Sequence, residues 1–305
     1  MSRSWVDFFK LHFIVFIWGF TAILGILISL HPIETVFYRT ALAAFFLYLI
    51  ILFKKKNFTV PFRRLIKIVV TGVIIAFHWI LFFASAQIST ASVCLAGMAT
   101  VALWTSLVEP LYFKKSFKSY EIFLGLIVIV GLYVIFKFEF NHWLGLTLAI
   151  ISAFLGALFS VINSQLTNEF DAYSITFYEM LAASITCLLF IPVYQTYIDP
   201  TVSFQYFPTS VNDILYLVAL SLFCTVYAFS ESVELMRRIS AYAINLTVNL
   251  EPVYGIILAV LILNEDESMT AGFYWGTAII LLSVLGYPIL NKRYKRKALE
   301  ADIIR

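Results

Sequence analysis

The sequence predicts an all-α integral membrane protein with ten transmembrane helices, arranged as two inverted five-helix repeats. Three observations carry that expectation. Hydrophobic residues make up 62% of the 305 positions and charged residues 13%, against roughly 45–50% and about 25% in ordinary globular chains. Apolar stretches long enough to cross a bilayer core about 30 Å thick recur along the whole chain. Lys and Arg are confined almost entirely to alternate connections between those stretches. So apolar a chain has too little polar surface to coat a soluble fold, and lipid is its expected solvent.

Helices are expected at 11–29, 33–53, 65–88, 91–113, 120–137, 143–164, 172–193, 213–235, 240–264 and 270–290. The first resembles a signal peptide in position, but no small-residue cleavage site follows it, so it reads as a retained span. The fifth contains the uninterrupted apolar stretch Ile122 to Phe136. The seventh and ninth carry internal acids, and their assignment rests on length and flanks. Barrel strands would be short and alternating, which these segments are not.

The net charge of +3 is too small to point to nucleic acid, and its distribution matters more. Numbering the connections from the N-terminus, one alternate set holds nineteen of the 21 Lys and Arg residues, from Arg3 and Lys10 through Lys54 to Lys56, Lys114, Lys115, Arg237 and Arg238 to the C-terminal run. The other set holds Lys137 alone, and Arg39 falls inside a span. Basic residues mark cytoplasmic loops, so both termini are expected in the cytoplasm and the protein in the cell membrane, multi-pass. The tail 291–305, with Lys292-Arg293-Tyr294-Lys295-Arg296-Lys297, reads as a basic cytoplasmic anchor beside the last helix rather than a nucleic-acid patch. Cys94, Cys187 and Cys224 lie in apolar runs without paired spacing, which gives neither a disulfide framework nor a metal site.

The chain also matches itself. Trp18-Gly19 in the first span meets Leu155-Gly156 in the sixth at a shift of 137, and Phe37-Tyr38-Arg39 meets Phe177-Tyr178-Glu179 at 140. Ile88-Ser89 meets Ile239-Ser240, and Gly125 meets Gly276, both at 151. The matches are collinear, which divides the chain into repeats at 11–138 and 143–290. An odd number of helices per repeat forces opposite membrane orientations, and the substrate site of such carriers lies near the midplane between halves.

Trp18-Gly19, the segment Pro32 through Arg39, and Asn249-Leu250-Glu251-Pro252 followed by the Asn264-Glu265 helix end resemble the EamA family of the drug/metabolite transporter superfamily. The resemblance covers residues 11–290. It implies two five-helix repeats and export of amino acids, other metabolites or toxic compounds; eukaryotic relatives carry nucleotide sugars or sugar phosphates. The first repeat departs from the family pattern, having Phe113-Lys114-Lys115 where the usual Gly-Glu helix end would fall.

Charges at bilayer depth cost about 2.5–3.5 kcal/mol on insertion scales, so each needs a reason. Glu251 and His78 fall near the midplane of their spans at a rise of about 1.5 Å per residue. Thr247, Glu251 and Gly255 share a helical face with Tyr254 beside it, and Pro252 disturbs the turn before it. Glu251 is therefore the leading candidate for substrate binding or proton coupling, with an interhelical hydrogen bond as the structural alternative. His78, beside Trp79, is a candidate relay or a packing residue. Arg39 and Glu179 occupy corresponding places in the two repeats with opposite charge, and either clamp a zwitterion or pair with each other. Tyr38, Tyr178, Tyr254, Trp79 and Asn249 complete the candidate set. Glu109, Glu231 and Glu234 read as paired helix ends, and the stripe Ser152, Gly156, Ser160 and Ser164 as a close helix contact.

The sequence has no nucleotide-binding glycine loop, zinc spacing or activated nucleophile, so no cofactor or metal is expected. The expected partners are the lipid bilayer, a small-molecule substrate and a proton or other coupling ion. The leading expectation is a secondary transporter, an exporter working by alternating access, rather than an enzyme. The alternative is an intramembrane enzyme using Glu251 and His78 on a lipid-linked substrate.

Overall fold

The computed structural model describes residues 3–56, 58–136, 142–204, 207–208, 210–263 and 271–303. Among these the regular structure is helical and no strand occurs. The elements are α1 (Arg3–Leu27), α2 (Pro32–Phe53), α3 (Phe62–Ile88), α4 (Ala91–Met98), α5 (Val101–Phe113), α6 (Ser119–Phe136) and α7 (Trp143–Leu166). They continue with α8 (Ala172–Tyr197), α9 (Val211–Ala219), a π-helical segment (Leu220–Tyr227), α10 (Ala228–Leu235), α11 (Ala241–Val248), α12 (Glu251–Leu263) and α13 (Ala271–Ile303).

Among the described residues eight stretches are long and apolar enough to cross a membrane, and Ser119–Val134 is a shorter apolar helix. Two expected spans differ from their sequence reading. The segment 91–113 is broken between α4 and α5 at Ala99-Thr100, and 240–264 between α11 and α12 at Asn249-Leu250. Pro252 explains the second break: proline fits the first turn of a helix, where its missing N–H costs nothing, so α12 starts anew. The Asn264-Glu265 helix end lies outside the described residues. Helix α13 continues through the basic residues from Lys292 to Ile303.

The repeats correspond in detail. Thr90 caps α4 by accepting the Val93 N–H, and Ser240 caps α11 by accepting the Ala243 N–H. Helices α5 and α12 then start and stop at positions 150 residues apart. This corrects the expected shift of 151 for the fourth and ninth spans: Thr90, not Ser89, is the counterpart of Ser240. His31 and Asp171, 140 apart, cap α2 and α8; His31 forms a capping box with Glu34 over Pro32.

The two repeats interlock. Helix α2 packs on α8, α3 on α7 and α8, α6 on α13, and α1 on α12. Gly19 makes the α1–α12 approach feasible, since a Cβ there would lie 2.9 Å from Tyr254 Cβ and 3.2 Å from Gly255 N. Two large apolar clusters result, one around α2, α3 and α8, the other around α1, α6, α11 and α13, with smaller ones at Ile68, Leu166 and Ile175 and at Val101, Ala153 and Ala157.

Polar contacts separate the two ends of the bundle. At one end Arg238 pairs with Asp7 at 2.9 Å, Lys56 with Asp171 at 2.6 Å and Arg64 with Glu169 at 2.9 Å. Lys10 binds Glu231, which also accepts the Tyr173 hydroxyl at 2.8 Å. Glu234 pairs with Arg237 at 3.3 Å, and Glu109 accepts the Tyr242 N–H at 3.2 Å, so the three acids expected at helix ends are all engaged there. At the other end Asp213 accepts the Ser29 N–H at 2.9 Å and the Ser29 hydroxyl at 2.6 Å.

Candidate functional site

A cavity lies at the centre of the bundle, between elements of both repeats, with about 90 Å³ open to the centres of water-sized molecules. Its apolar wall includes Trp18, Trp79, Phe82, Met98, Phe159 and Phe229. Its polar wall includes Arg39, His78, Ser160, Ser232, Asn245 and Glu251. A volume of that size holds several waters or a small organic solute.

Arg39, on α2, is held by two other elements. It is 2% exposed, and its Nε donates to Thr225 Oγ1 at 2.8 Å, while its guanidinium carbon sits 3.8 Å from the Trp79 ring centroid. Thr225 belongs to the π-helical segment, and Ser221 in the same segment donates to the Arg39 carbonyl at 3.0 Å. Nη1 has no hydrogen-bond partner, which leaves a donor of a buried cation unused. Such a donor suits an anionic or carbonyl oxygen of a solute.

His78 is docked onto α7. Its Nδ1 lies 2.7 Å from the Ser152 carbonyl, and Ser152 Oγ donates to the His78 carbonyl at 2.7 Å. A carbonyl only accepts, so Nδ1 carries the proton and the neutral ring retains Nε2 as its acceptor. Gly156 lies one turn on, where a Cβ would be 3.3 Å from the imidazole. The small-residue stripe is therefore a close contact between α7 and α3, and Gly156 and Ser160 also line the cavity.

Glu251 is the first residue of α12, partly buried on the cavity wall. Helix N-termini favour negative charge, so the break places a carboxylate where the backbone stabilises it. Asn245, four residues before Asn249, bridges the broken helices: its Nδ2 donates to Thr105 Oγ1 at 2.8 Å, and its Oδ1 accepts from Ser160 Oγ at 3.3 Å.

The cavity thus brings together Arg39, His78, Trp79 and Glu251, and its lining does not include the other candidates. Tyr38 packs edge-on against Phe37, and Tyr178 donates to the Phe58 carbonyl at 2.9 Å. Tyr254 packs against Phe16, with ring centroids 5.7 Å apart. Asn249 is buried at the α11–α12 break with both amide atoms unpartnered. Glu179 is fully buried beside Asn163, its carboxyl oxygens without partners, and no ion pair joins it to Arg39. The sequence reading missed Asn245, Thr105, Thr225 and Phe159. Asn245 carried a usable signal, an amide inside an apolar span.

Two interlocked helical repeats around a mainly apolar cavity with a few polar groups have the architecture of a multi-pass membrane protein. The profile of the EamA-like transporter family matches residues 9–137 and 143–287, and the chain belongs to that family. Comparison with curated proteins gives no match. One solved structure, described only as a crystal structure of a protein, superimposes with a TM-score of 0.73 at 15% identity, covering 96% of this chain and 99% of that one. At that identity the likeness concerns the fold alone.

Proposed function

We propose that the protein is a secondary transporter that exports a small metabolite, an amino acid or similar compound, across the cell membrane by alternating access. The observation that carries this is one cavity between the two repeats with both Arg39 and Glu251 on its wall. A solute bearing an acidic and a basic group finds opposite charges there, with Trp79 and Phe159 for its apolar part. The single-sided clustering of Lys and Arg supports a cytoplasmic position for both termini. Met236 and Ile244 extend the cavity lining toward the basic end, which supports loading from the cytoplasm.

Purified protein in proteoliposomes should exchange or accumulate at least one labelled compound from a panel of amino acids and similar metabolites. Flux equal to that of protein-free vesicles across the panel would overturn this reading. The same vesicles, assayed with a gradient of known orientation, test the direction of export.

A further inference from the structure

Glu179 lies outside the cavity that holds Arg39 and Glu251, yet it is fully buried on α8. Neither of its carboxyl oxygens has a hydrogen-bond partner. Its neighbour Asn163 on α7 is equally buried, and both of its amide atoms are unpartnered as well. Thr176, three residues before Glu179 on α8, leaves its hydroxyl unpartnered, as does Ser230 on α10, which packs against α8. Helices α2, α3 and α10 pack against α8, and among the described residues no basic side chain hydrogen-bonds the Glu179 carboxyl. Helices α3 and α8 approach closely at this level, since a Cβ at Gly72 would lie 2.6 Å from the Glu179 backbone carbonyl.

A permanent carboxylate with no cation beside it is a poor structural element in a bundle core. Beside an amide, however, a carboxyl group has two workable forms. The acid donates its O–H to the amide oxygen and accepts an amide N–H; the carboxylate accepts the N–H alone. That is the requirement for a group that takes up and releases a proton.

We propose that the Glu179–Asn163 pair is the coupling-proton site of this carrier, separate from the substrate cavity. The assignment rests on the transporter reading. On loading, an O–H bond forms between Glu179 and a proton delivered by water. On unloading, that bond breaks, the proton returns to water, and the carboxylate remains beside the Asn163 amide. Glu251 is then left to hold the substrate, and Asn163 acts as a positioning residue.

The test is a pH titration of the purified full chain in lipid, followed by the infrared C=O band of protonated carboxylic acid. The expected result is a band that declines as pH rises, is missing from Glu179→Gln and is retained in Glu251→Gln. Asn163→Leu should keep the band but move its midpoint, and sodium chloride added at fixed pH should leave it unchanged. A band identical in wild type and Glu179→Gln would overturn the proposal. So would loss of the band on adding sodium at constant pH, which would make the site one for an alkali cation. If Glu179→Gln fails to insert, an unmoved midpoint in Asn163→Leu overturns it instead. These spectra need no transported compound, so they stand apart from the flux assay. In vesicles that do transport, Glu179→Gln should abolish accumulation driven by a pH gradient while counterflow continues, and retained accumulation would refute the assignment.

Discussion

The central guanidinium carbon of Arg39 lies over the Trp79 ring, 3.8 Å from its centroid, in a site where the arginine is 2% exposed. Desolvated cation–π contacts contribute about 2 kcal/mol or more. Trp79→Leu should therefore lower both thermal stability and substrate affinity, the latter by about tenfold for each 1.4 kcal/mol lost. Arg39→Lys keeps the charge but loses the planar stack and the bond from Nε to Thr225, so it should behave nearly as badly as Arg39→Gln. Wild-type melting and transport in Arg39→Lys would show that charge alone matters.

Glu251→Gln preserves shape and most hydrogen-bonding capacity while removing the negative charge from the cavity wall. Binding of an amine-bearing substrate should weaken by at least about tenfold, in line with the value of a charged hydrogen bond. The pH dependence of the remaining flux should persist, because the proton is assigned to Glu179. Measurement of flux against pH in both variants decides between them. A flat profile in Glu251→Gln would move coupling to that residue.

Orientation is open to direct labelling. The three native cysteines are buried, so background reaction should be low. Ser116 lies in the basic connection after α5 and Ser203 in the connection after α8, and both are exposed. In intact cells an impermeant thiol reagent should modify Ser203→Cys and spare Ser116→Cys. The reverse pattern would invert the membrane topology.

His31 gives the cap of α2 a pH dependence. Burial holds its pKa below the usual histidine value of 6.5, against a smaller opposing pull from Asp199. Its Nδ1 accepts the Ile33 N–H at 3.3 Å, which the neutral ring permits and the imidazolium does not. With the folded pKa depressed, the unfolded state binds the proton first. The contribution is complete above about pH 6.5 and declines as pH falls through that value toward the lower folded one. Hydrogen-exchange protection at Ile33, corrected for intrinsic rates, should fall over that range and lose this dependence in His31→Asn. Constant protection in wild type would show that the cap does not titrate.

The helical membrane architecture and the two repeats were legible because hydropathy and Lys/Arg placement act over whole segments. Arg39, His78 and Glu251 stood out for the same reason, as ionisable groups in apolar spans. Thr105 and Thr225 did not, because small polar residues are common in membrane helices and their partners lie 140 and 186 residues away; Asn245, an amide in an apolar span, was visible but was passed over. Glu179 was legible as a buried acid but not as distinct from the cavity, since helix position fixes depth and leaves rotation open. Both broken spans were read as continuous helices; Pro252 marked a disturbed turn in the second, whereas the first has no proline at Ala99-Thr100 to mark its break. The π-helical segment left no mark in Leu220–Tyr227, an ordinary apolar run.

The matched breaks between α4 and α5 and between α11 and α12 work as indexing joints. Because each half-helix is docked separately, a residue added at a joint would not be absorbed by a flexible loop; it would turn the following half-helix by about 100° about its axis. One alanine inserted after Leu250 should therefore swing Glu251 off the cavity wall while leaving the α11 half undisturbed, and four inserted alanines, just over one turn, should largely restore its heading at the cost of a displacement along the axis of about 6 Å. Transport measured across a one-to-four alanine series at this joint should show that periodic partial recovery, whereas a monotonic decline would mean the joint transmits length and not angle.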